Sequence, residues 1–155
     1  MGSDGDLAVM QGAIGQLKEL GIDPVVRIIS AHRTPQVAAE FAESAAGSGI
    51  RVIIAAAGMA AHLAGALASR THLPVIGVPL VAEGGLGGLD ALLSTVQMPG
   101  GVPVATMAIG KPGAKNAAIF AVQILALTDM KLREQLARLR SDQARKVTAT
   151  DAVAH

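Results

Sequence analysis

Residues that could bind a ligand or move a proton are concentrated in short segments between apolar stretches. They are Gly2–Asp6 (GSDGD), Ser30–Thr34 (SAHRT), the stretch from Gly58 to His62, and the glycine-rich stretches 82–88 and 110–113. A guanidinium presents a fork of donors to a phosphate, and a glycine/serine loop that opens a helix presents backbone N–H groups to an anion. An aspartate can accept from a ribose hydroxyl, and a histidine can move a proton near neutral pH. Together these residue types indicate a phosphoribosyl ligand and acid–base chemistry.

Each of these residues also has a structural interpretation. Ser3 or Asp4 can cap the first helix, and His32 with Arg33 can form an exposed polar pair ahead of another helix. His62 can pack on a helix face. The two histidines lack metal-ligand spacing and no third ligand is evident, so the sequence predicts no metal site.

The apolar pattern predicts strands alternating with helices. The predicted strands are 24–30, 51–57, 74–79 and 102–109, and the predicted helices are 7–20, 35–47, 60–69, 88–96, 115–127 and 129–146. Loops this short favour an α/β fold in which right-handed crossovers wrap a parallel sheet. Ligands bind such sheets at the carboxyl ends of the strands, which is where the polar segments fall.

The composition excludes several classes of protein. The 155 residues predict one domain over 1–147 and a disordered tail over 148–155. Thirteen Lys and Arg against twelve Asp and Glu, with two aromatic residues, argue against a nucleic-acid partner. The absence of cysteine excludes disulfides and thiolate zinc sites, and it fits a cytoplasmic protein.

The high apolar content raises the question of a membrane span. Hydrophobic residues make up 51% of the chain and the mean hydropathy is +0.47. The best candidate, 52–69, is rich in alanine and glycine and contains His62, at the short end of a spanning length. We therefore expect no membrane partner, and attribute the apolar content to a sheet buried on both faces and to contacts between subunits.

Several motifs resemble the catalytic subunit of phosphoribosylaminoimidazole carboxylase, the bacterial-type carboxyaminoimidazole ribonucleotide mutase family of purine synthesis. The matching stretches run in order from residue 1 to about residue 140: GSDGD (2–6), SAHRTP (30–35), AAHL (60–63), LPVIGVP (73–79), GLDALLSTVQMPGGVPVAT (88–106) and GAKNAA (113–118). The resemblance implies a flavodoxin-like three-layer sandwich with a parallel sheet, a homo-octamer, and an enzyme without metal or organic cofactor.

The resemblance also implies a reaction and a set of site residues. The family moves a carboxylate from the exocyclic amine of an aminoimidazole ribonucleotide to the adjacent ring carbon, through carbon dioxide held in a closed pocket. The histidine that handles the ring proton corresponds to His32. Ser3 and Arg33 match phosphate-binding positions and Asp6 a ribose-binding position. Ser30, His62 and Gly58, in the glycine-rich turn at 55–62, match further pocket positions.

The chain departs from the family pattern in this turn. It reads AAAGMAAHLAG where the family usually reads AGAGGAAHLPG, so Ala56, Met59 and Ala64 replace two glycines and a proline, and Gly5 replaces a usual serine. Met59 is expected to crowd the pocket or to need a backbone angle that suits glycine. Met59 and the missing first strand keep open a non-catalytic phosphoribosyl-nucleotide-binding descendant. The stretches AGMAAHL and GGLGGLDALL, which resemble glycine-rich loops of the related pyridinium nucleotide carboxylases, keep that family open as a second alternative.

The opening segment GSDGD has no apolar strand before it. In a flavodoxin-like sheet the first strand lies between two others, and the family commonly places a methionine at its end. We therefore expect the first central strand to be truncated, with Met1 an internal methionine and roughly ten further residues in the natural product.

Overall fold

The computed structural model describes residues 1–153, which form six helices and a three-stranded parallel sheet. A 3-10 turn, Asp4–Asp6, leads into α1 (Leu7–Glu19). The elements that follow are α2 (Pro35–Ser44), β1 (Ile53–Gly58), α3 (Leu63–Ala68), β2 (Val75–Leu80), α4 (Leu89–Val96), β3 (Ala105–Thr106), α5 (Lys111–Leu125) and α6 (Met130–Val153). The predicted α/β alternation is confirmed.

The sheet has the order β1-β2-β3, with β1 and β2 in register from Ile53 opposite Val75 to Gly58 opposite Leu80. β2 is the most protected strand, because every one of its residues is buried. β3 adds two residue pairs, Ile76 opposite Ala105 and Gly77 opposite Thr106. A strand flanked by neighbours and covered on both faces needs a continuous apolar run, which explains the sequence VIGVPL.

Two further backbone segments extend the sheet beyond β1. The Met1 amino group donates to the Arg27 carbonyl at 2.9 Å, and the Ile29 N–H donates to the Met1 carbonyl at 2.8 Å. On its other side, the Gly2 N–H donates to the Ala56 carbonyl at 3.0 Å. Met1 and Gly2 therefore lie between the extended segment 24–29 and β1, in the position expected for an interior first strand.

Helices cover both faces of the sheet, which makes three layers. On one face α1, α5 and α6 pack over residues that include Ala56, Ile76 and Val78. On the other face α2 and α3 pack over Ile53, Ala55 and Val75. The alternation of Ala55 and Ala56 between the two clusters follows from the twofold side-chain period of a strand.

Four elements differ from the sequence predictions. Segment 24–30 is extended but is not a strand, because only Met1 reaches its inner edge with hydrogen bonds. β3 covers Ala105–Thr106 rather than 102–109, since Pro103 has no N–H and Gly101 has a φ of 95°.

Two of the four differences concern helices. α5 starts at Lys111 rather than 115, with Pro112 in its first turn. α6 continues to Val153, so residues 148–153 of the expected tail are helical, while 154–155 lie outside the described residues.

Among residues 1–153, no helix is long and apolar enough to cross a membrane. The stretch 52–69 is divided between β1 and α3.

Candidate functional site

Two of the predicted site residues, His32 and His62, are in direct contact. His32 Nε2 lies 2.8 Å from His62 Nδ1, and the rings meet edge to face, with centroids 5.0 Å apart and planes at 76°. His32 comes from the loop after segment 24–29, and His62 precedes α3 in the loop after β1. Both side chains are exposed, so the pair faces the solvent at the carboxyl edge of the sheet.

The contact constrains the protonation of the two rings. A hydrogen bond between His32 Nε2 and His62 Nδ1 needs a proton on one nitrogen and a lone pair on the other. If His32 donates, its Nδ1 carries a lone pair and is a base, while His62 Nε2 carries a proton. If His62 donates, these two roles are exchanged. In both arrangements, one of the two nitrogens outside the hydrogen bond can accept a proton and the other can donate one.

Thr34 closes the loop that carries His32. Its hydroxyl donates to the Ser30 carbonyl at 3.0 Å and accepts from the Ser30 N–H at 3.0 Å. The Ser30 hydroxyl accepts from the Arg33 N–H at 3.1 Å. These bonds fix the backbone on both sides of His32. Arg33 is exposed, and its guanidinium forms no salt bridge within residues 1–153.

The opening segment folds back on itself. The Asp6 carboxylate accepts from the Ser3 N–H at 2.9 Å, across the 3-10 turn Asp4–Asp6. Gly2 lies so close that a β-carbon there would be 3.6 Å from Asp6 Oδ2 and 3.7 Å from the Ala57 β-carbon. Asp6 therefore lies close to Gly2, which packs against Ala57 of β1, and its Oδ2 atom orders the loop.

The turn between β1 and α3 is tight. A β-carbon on Gly58 would lie 3.0 Å from the Ala82 β-carbon and 3.3 Å from the Leu80 carbonyl, so the backbone there passes close to the loop after β2. Met59 follows with a φ of 52°, and it is the one non-glycine residue with positive φ within the described chain. The Ala61 N–H donates to the Met59 carbonyl at 2.8 Å. The sequence predicted that Met59 crowds the pocket or needs a backbone angle that suits glycine. The second of these predictions is confirmed.

The predicted site residues thus meet at one edge of the sheet. Ser3 and Asp6 follow Met1–Gly2, Ser30 to Arg33 follow segment 24–29, and Gly58 to His62 follow β1. The other two departures in the stretch 55–65, Ala56 and Ala64, are buried, being 0% and 3% exposed, and neither has a positive φ. Within residues 1–153, no three histidine or carboxylate side chains converge on a possible metal site.

Asp90 is a polar residue at this edge that the sequence analysis missed. Its Oδ1 is buried and has no hydrogen-bond partner in the described chain, and a β-carbon on Gly85 would come within 2.9 Å of its Oδ2. The available signal was an acidic residue in the first turn of α4, directly after glycines that turn the chain.

Comparisons with known proteins agree on one family. A sequence model described as AIR carboxylase matches residues 1–146. The N5-carboxyaminoimidazole ribonucleotide mutase of Pyrococcus horikoshii is 54% identical over 147 residues, 95% of this chain and 81% of that protein. The Pseudomonas aeruginosa protein of the same name is 50% identical over 147 residues, 95% of this chain and 90% of its own.

A solved structure has the same fold. The crystal structure of Treponema denticola PurE superposes with a TM-score of 0.87 at 25% identity, over 98% of this chain and 93% of that one. The parallel sheet and its helical layers are therefore those of a flavodoxin-like fold. With a family match over residues 1–146 and relatives more than half identical, the chain belongs to the AIR carboxylase family.

Proposed function

We propose that this protein is an isomerase of purine biosynthesis that converts N5-carboxyaminoimidazole ribonucleotide into 4-carboxy-5-aminoimidazole ribonucleotide, with His32 as its acid–base residue. The observation that carries the proposal is the contact between His32 Nε2 and His62 Nδ1 at the carboxyl edge of the sheet. Relatives named N5-carboxyaminoimidazole ribonucleotide mutase support the reaction assignment.

The reaction needs one group that moves one proton. The bond between the exocyclic nitrogen and the carboxylate breaks, which leaves carbon dioxide and an amine that takes up a proton. The adjacent ring carbon then attacks carbon dioxide and loses its own proton. The proton gained by nitrogen balances the proton lost by carbon, so one imidazole suffices if it first gives a proton to the nitrogen and then takes up the proton from the ring carbon.

The histidine pair suits this task because its hydrogen bond ties the protonation of one ring to that of the other. With His32 donating from Nε2 to His62, the Nδ1 atom of His32 is left to give the proton to the exocyclic nitrogen and to take up the proton of the ring carbon. Carbon dioxide held beside the amine reacts at high effective concentration, whereas an escaped molecule would be diluted.

Substrate binding is assigned to the three loops around the pair. We propose that Arg33 and Ser3 hold the phosphate, and that Asp6 accepts from the ribose with the capacity left beyond its bond to Ser3. Ser30, Gly58 and His62 complete the pocket wall. The exposed guanidinium of Arg33 and the closeness of Asp6 to β1 support this arrangement.

The substitution His32→Asn tests the catalytic role. Asparagine keeps a polar side chain but cannot exchange a proton near neutral pH, so we expect turnover to fall by at least about a hundredfold. Substrate binding, measured by calorimetry, should change little. The matched control is His72→Asn, because exposed His72 precedes β2 and lies at the opposite edge of the sheet. Full turnover by the His32→Asn variant would refute the mechanism.

We further propose that the protein works in the cytoplasm as a homo-octamer. Exposed apolar side chains in and before α4 support assembly, since Leu86 is 73%, Leu89 51% and Leu93 49% exposed in the single chain. One face of α5, which includes its alanines, is buried within the single chain. Light scattering on the purified protein tests the stoichiometry, and a monomeric mass at micromolar concentration would contradict it.

A further inference from the structure

Met59 places a large apolar side chain among the polar residues of the proposed site. It lies in the turn between β1 and α3, and 50% of its surface is exposed. Two residues that follow it, Ala61 and Leu63, are buried in the fold. Within the described chain, Met59 belongs to neither of the hydrophobic clusters that pack against the sheet. The core therefore does not depend on its side chain.

The backbone on both sides of Met59 is fixed. Before it, Gly58 passes so close to the loop after β2 that an added β-carbon would meet another at 3.0 Å. After it, two successive turns, each closed by an N–H···O bond of 2.8 Å, lead to His62. Three residues span at most about 11 Å when fully extended, and these turns shorten the path. Met59 thus lies close to His62, which contacts His32.

The conformation of Met59 is costly for the fold. Its φ of 52° falls in the left-handed region, where a residue with a β-carbon is strained. The half-exposed side chain packs into neither hydrophobic cluster, so core packing does not offset this strain. Residues held in such conformations are concentrated at sites where the strain is part of the function. The strain therefore points to a use of the Met59 side chain when a ligand is bound.

We propose that the Met59 side chain is the apolar cover of the pocket that holds carbon dioxide. The proposal rests on the mutase reaction proposed above. Carbon dioxide has no net charge and no net dipole, so ion pairs do not retain it. A thioether has no strong donor and is only a weak acceptor, so it brings no bound water to the gas. Beside the histidine pair, such a side chain closes the pocket with a dry surface.

This cover decides between two fates of the carbon dioxide. The ring carbon can attack it, which forms the new carbon–carbon bond and passes the ring proton to His32. Water can attack it instead, which yields bicarbonate and a proton and leaves the decarboxylated amine. Excluding water favours the first outcome. Methionine is unbranched and has three rotatable bonds, so it can move aside for the ribonucleotide and return over the gas.

The test follows the fate of the carboxylate carbon. Substrate labelled with carbon-13 in the carboxylate is supplied to the wild-type protein and to variants. NMR measures labelled bicarbonate released per labelled ring carboxylate formed, after subtraction of the decarboxylation that occurs without protein. We expect Met59→Ala to raise this ratio by about tenfold, because the apolar cover beyond the β-carbon is lost. Met59→Leu keeps the apolar volume and should stay close to the wild-type ratio.

Two further variants separate this role from stability. Met59→Gly removes both the strain and the cover, so it should release as much labelled bicarbonate as Met59→Ala while being more stable than the wild type. Met130→Ala is the matched control, since Met130 is 63% exposed and begins α6, beyond the far end of α5 from the carboxyl edge. It should give the wild-type ratio.

The outcomes distinguish the cover from the reaction. A wild-type ratio for Met59→Ala, with product still formed, would overturn the role of Met59 and leave the mutase function standing. Tighter substrate binding by Met59→Ala in calorimetry, with an unchanged ratio, would show that the side chain obstructs the pocket and would overturn it too. An equal rise in Met130→Ala would trace the loss of label to something other than the cover. A wild-type protein that forms no ring carboxylate would refute the mutase function and this role together.

Discussion

Met59 has a left-handed backbone in the turn that leads to His62. Its φ of 52° places the side chain of an L-residue against its own carbonyl, at a cost of about 1–2 kcal/mol that glycine avoids. The side chain is 50% exposed, so its burial returns little of that cost. The strain is therefore stored next to the proposed acid–base pair.

The substitution Met59→Gly should stabilise the protein by about 1 kcal/mol, after allowing for the greater freedom of glycine in the unfolded chain. We expect a rise in Tm of about 2–4 °C in calorimetry. Met130→Gly is the control, since Met130 is 63% exposed but begins a right-handed helix. That variant should lose stability. A lower Tm for Met59→Gly would show that the turn does not strain Met59.

Arg33 tests the phosphate assignment at the residue scale. A charged hydrogen bond to a phosphate is worth about 1.5–3 kcal/mol, so Arg33→Ala should weaken substrate binding by about tenfold to a hundredfold. Calorimetric titration measures this directly. Arg138→Ala, which removes an exposed arginine from α6, should bind normally. Equal affinities for the two variants would remove Arg33 from the phosphate site.

At the scale of elements, two glycines in helices have opposite surroundings. A β-carbon on Gly113, in the first turn of α5, would overlap the carbonyl of Ala108. Gly12, in α1, has nothing within 4 Å of such an atom. α5 can therefore lie this close to Ala108 only because Gly113 has no side chain.

We expect Gly113→Ala to destabilise the fold by at least about 3 kcal/mol, because backbone must move. Gly12→Ala should instead stabilise it by about 0.5–1 kcal/mol, since alanine is the better helix former. Urea denaturation of both variants measures the free energy of unfolding. A stable Gly113→Ala protein would contradict the close approach of α5 to Ala108.

The elements also show where sequence reasoning works. VIGVPL predicted β2 because a strand with neighbours on both sides and covered faces needs an unbroken apolar run. PVVRIIS is also rich in valine and isoleucine but forms no strand, because strand pairing depends on a neighbour and only Met1 reaches it. Apolar patterning predicts which segments are extended, whereas pairing is a property of the assembled sheet.

The candidate site was predictable in part, from the order of the strands and loops along the chain. Parallel topology alone brings the loops after successive strands to one edge, so Asp6, His32 and His62 could be grouped from the chain order. The contacts between these side chains could not be predicted from the chain order. The bond between His32 and His62 depends on rotamers and loop closure by Thr34, and the partnerless oxygen of Asp90 depends on burial.

At the scale of the whole molecule, the pairing of Met1 and Gly2 with their neighbours links the fold to the site. Met1 and Gly2 pair with both of their neighbours and lead directly into the loop that holds Ser3 and Asp6. Whatever stabilises this pairing also fixes the proposed phosphate and ribose contacts.

The buried Met1 amino group makes the stability of the whole molecule depend on pH. Because burial lowers its pKa in the folded state, the unfolded chain binds more protons below the ordinary value of 8.0. The free energy of unfolding should therefore rise as the pH is raised toward 8.0 and then level off. Denaturation at several pH values measures the slope. Acetylation of the amino terminus should remove this contribution, and an unchanged slope after acetylation would contradict it.

The central claim is that this chain carries out the mutase reaction itself. The most direct test supplies N5-carboxyaminoimidazole ribonucleotide labelled with carbon-13 in the carboxylate, in unlabelled bicarbonate buffer without ATP or added metal, and follows the product by NMR. We predict conversion to 4-carboxy-5-aminoimidazole ribonucleotide with the label retained on the ring carboxylate. Binding of the substrate without conversion would contradict the claim and favour a nucleotide-binding protein.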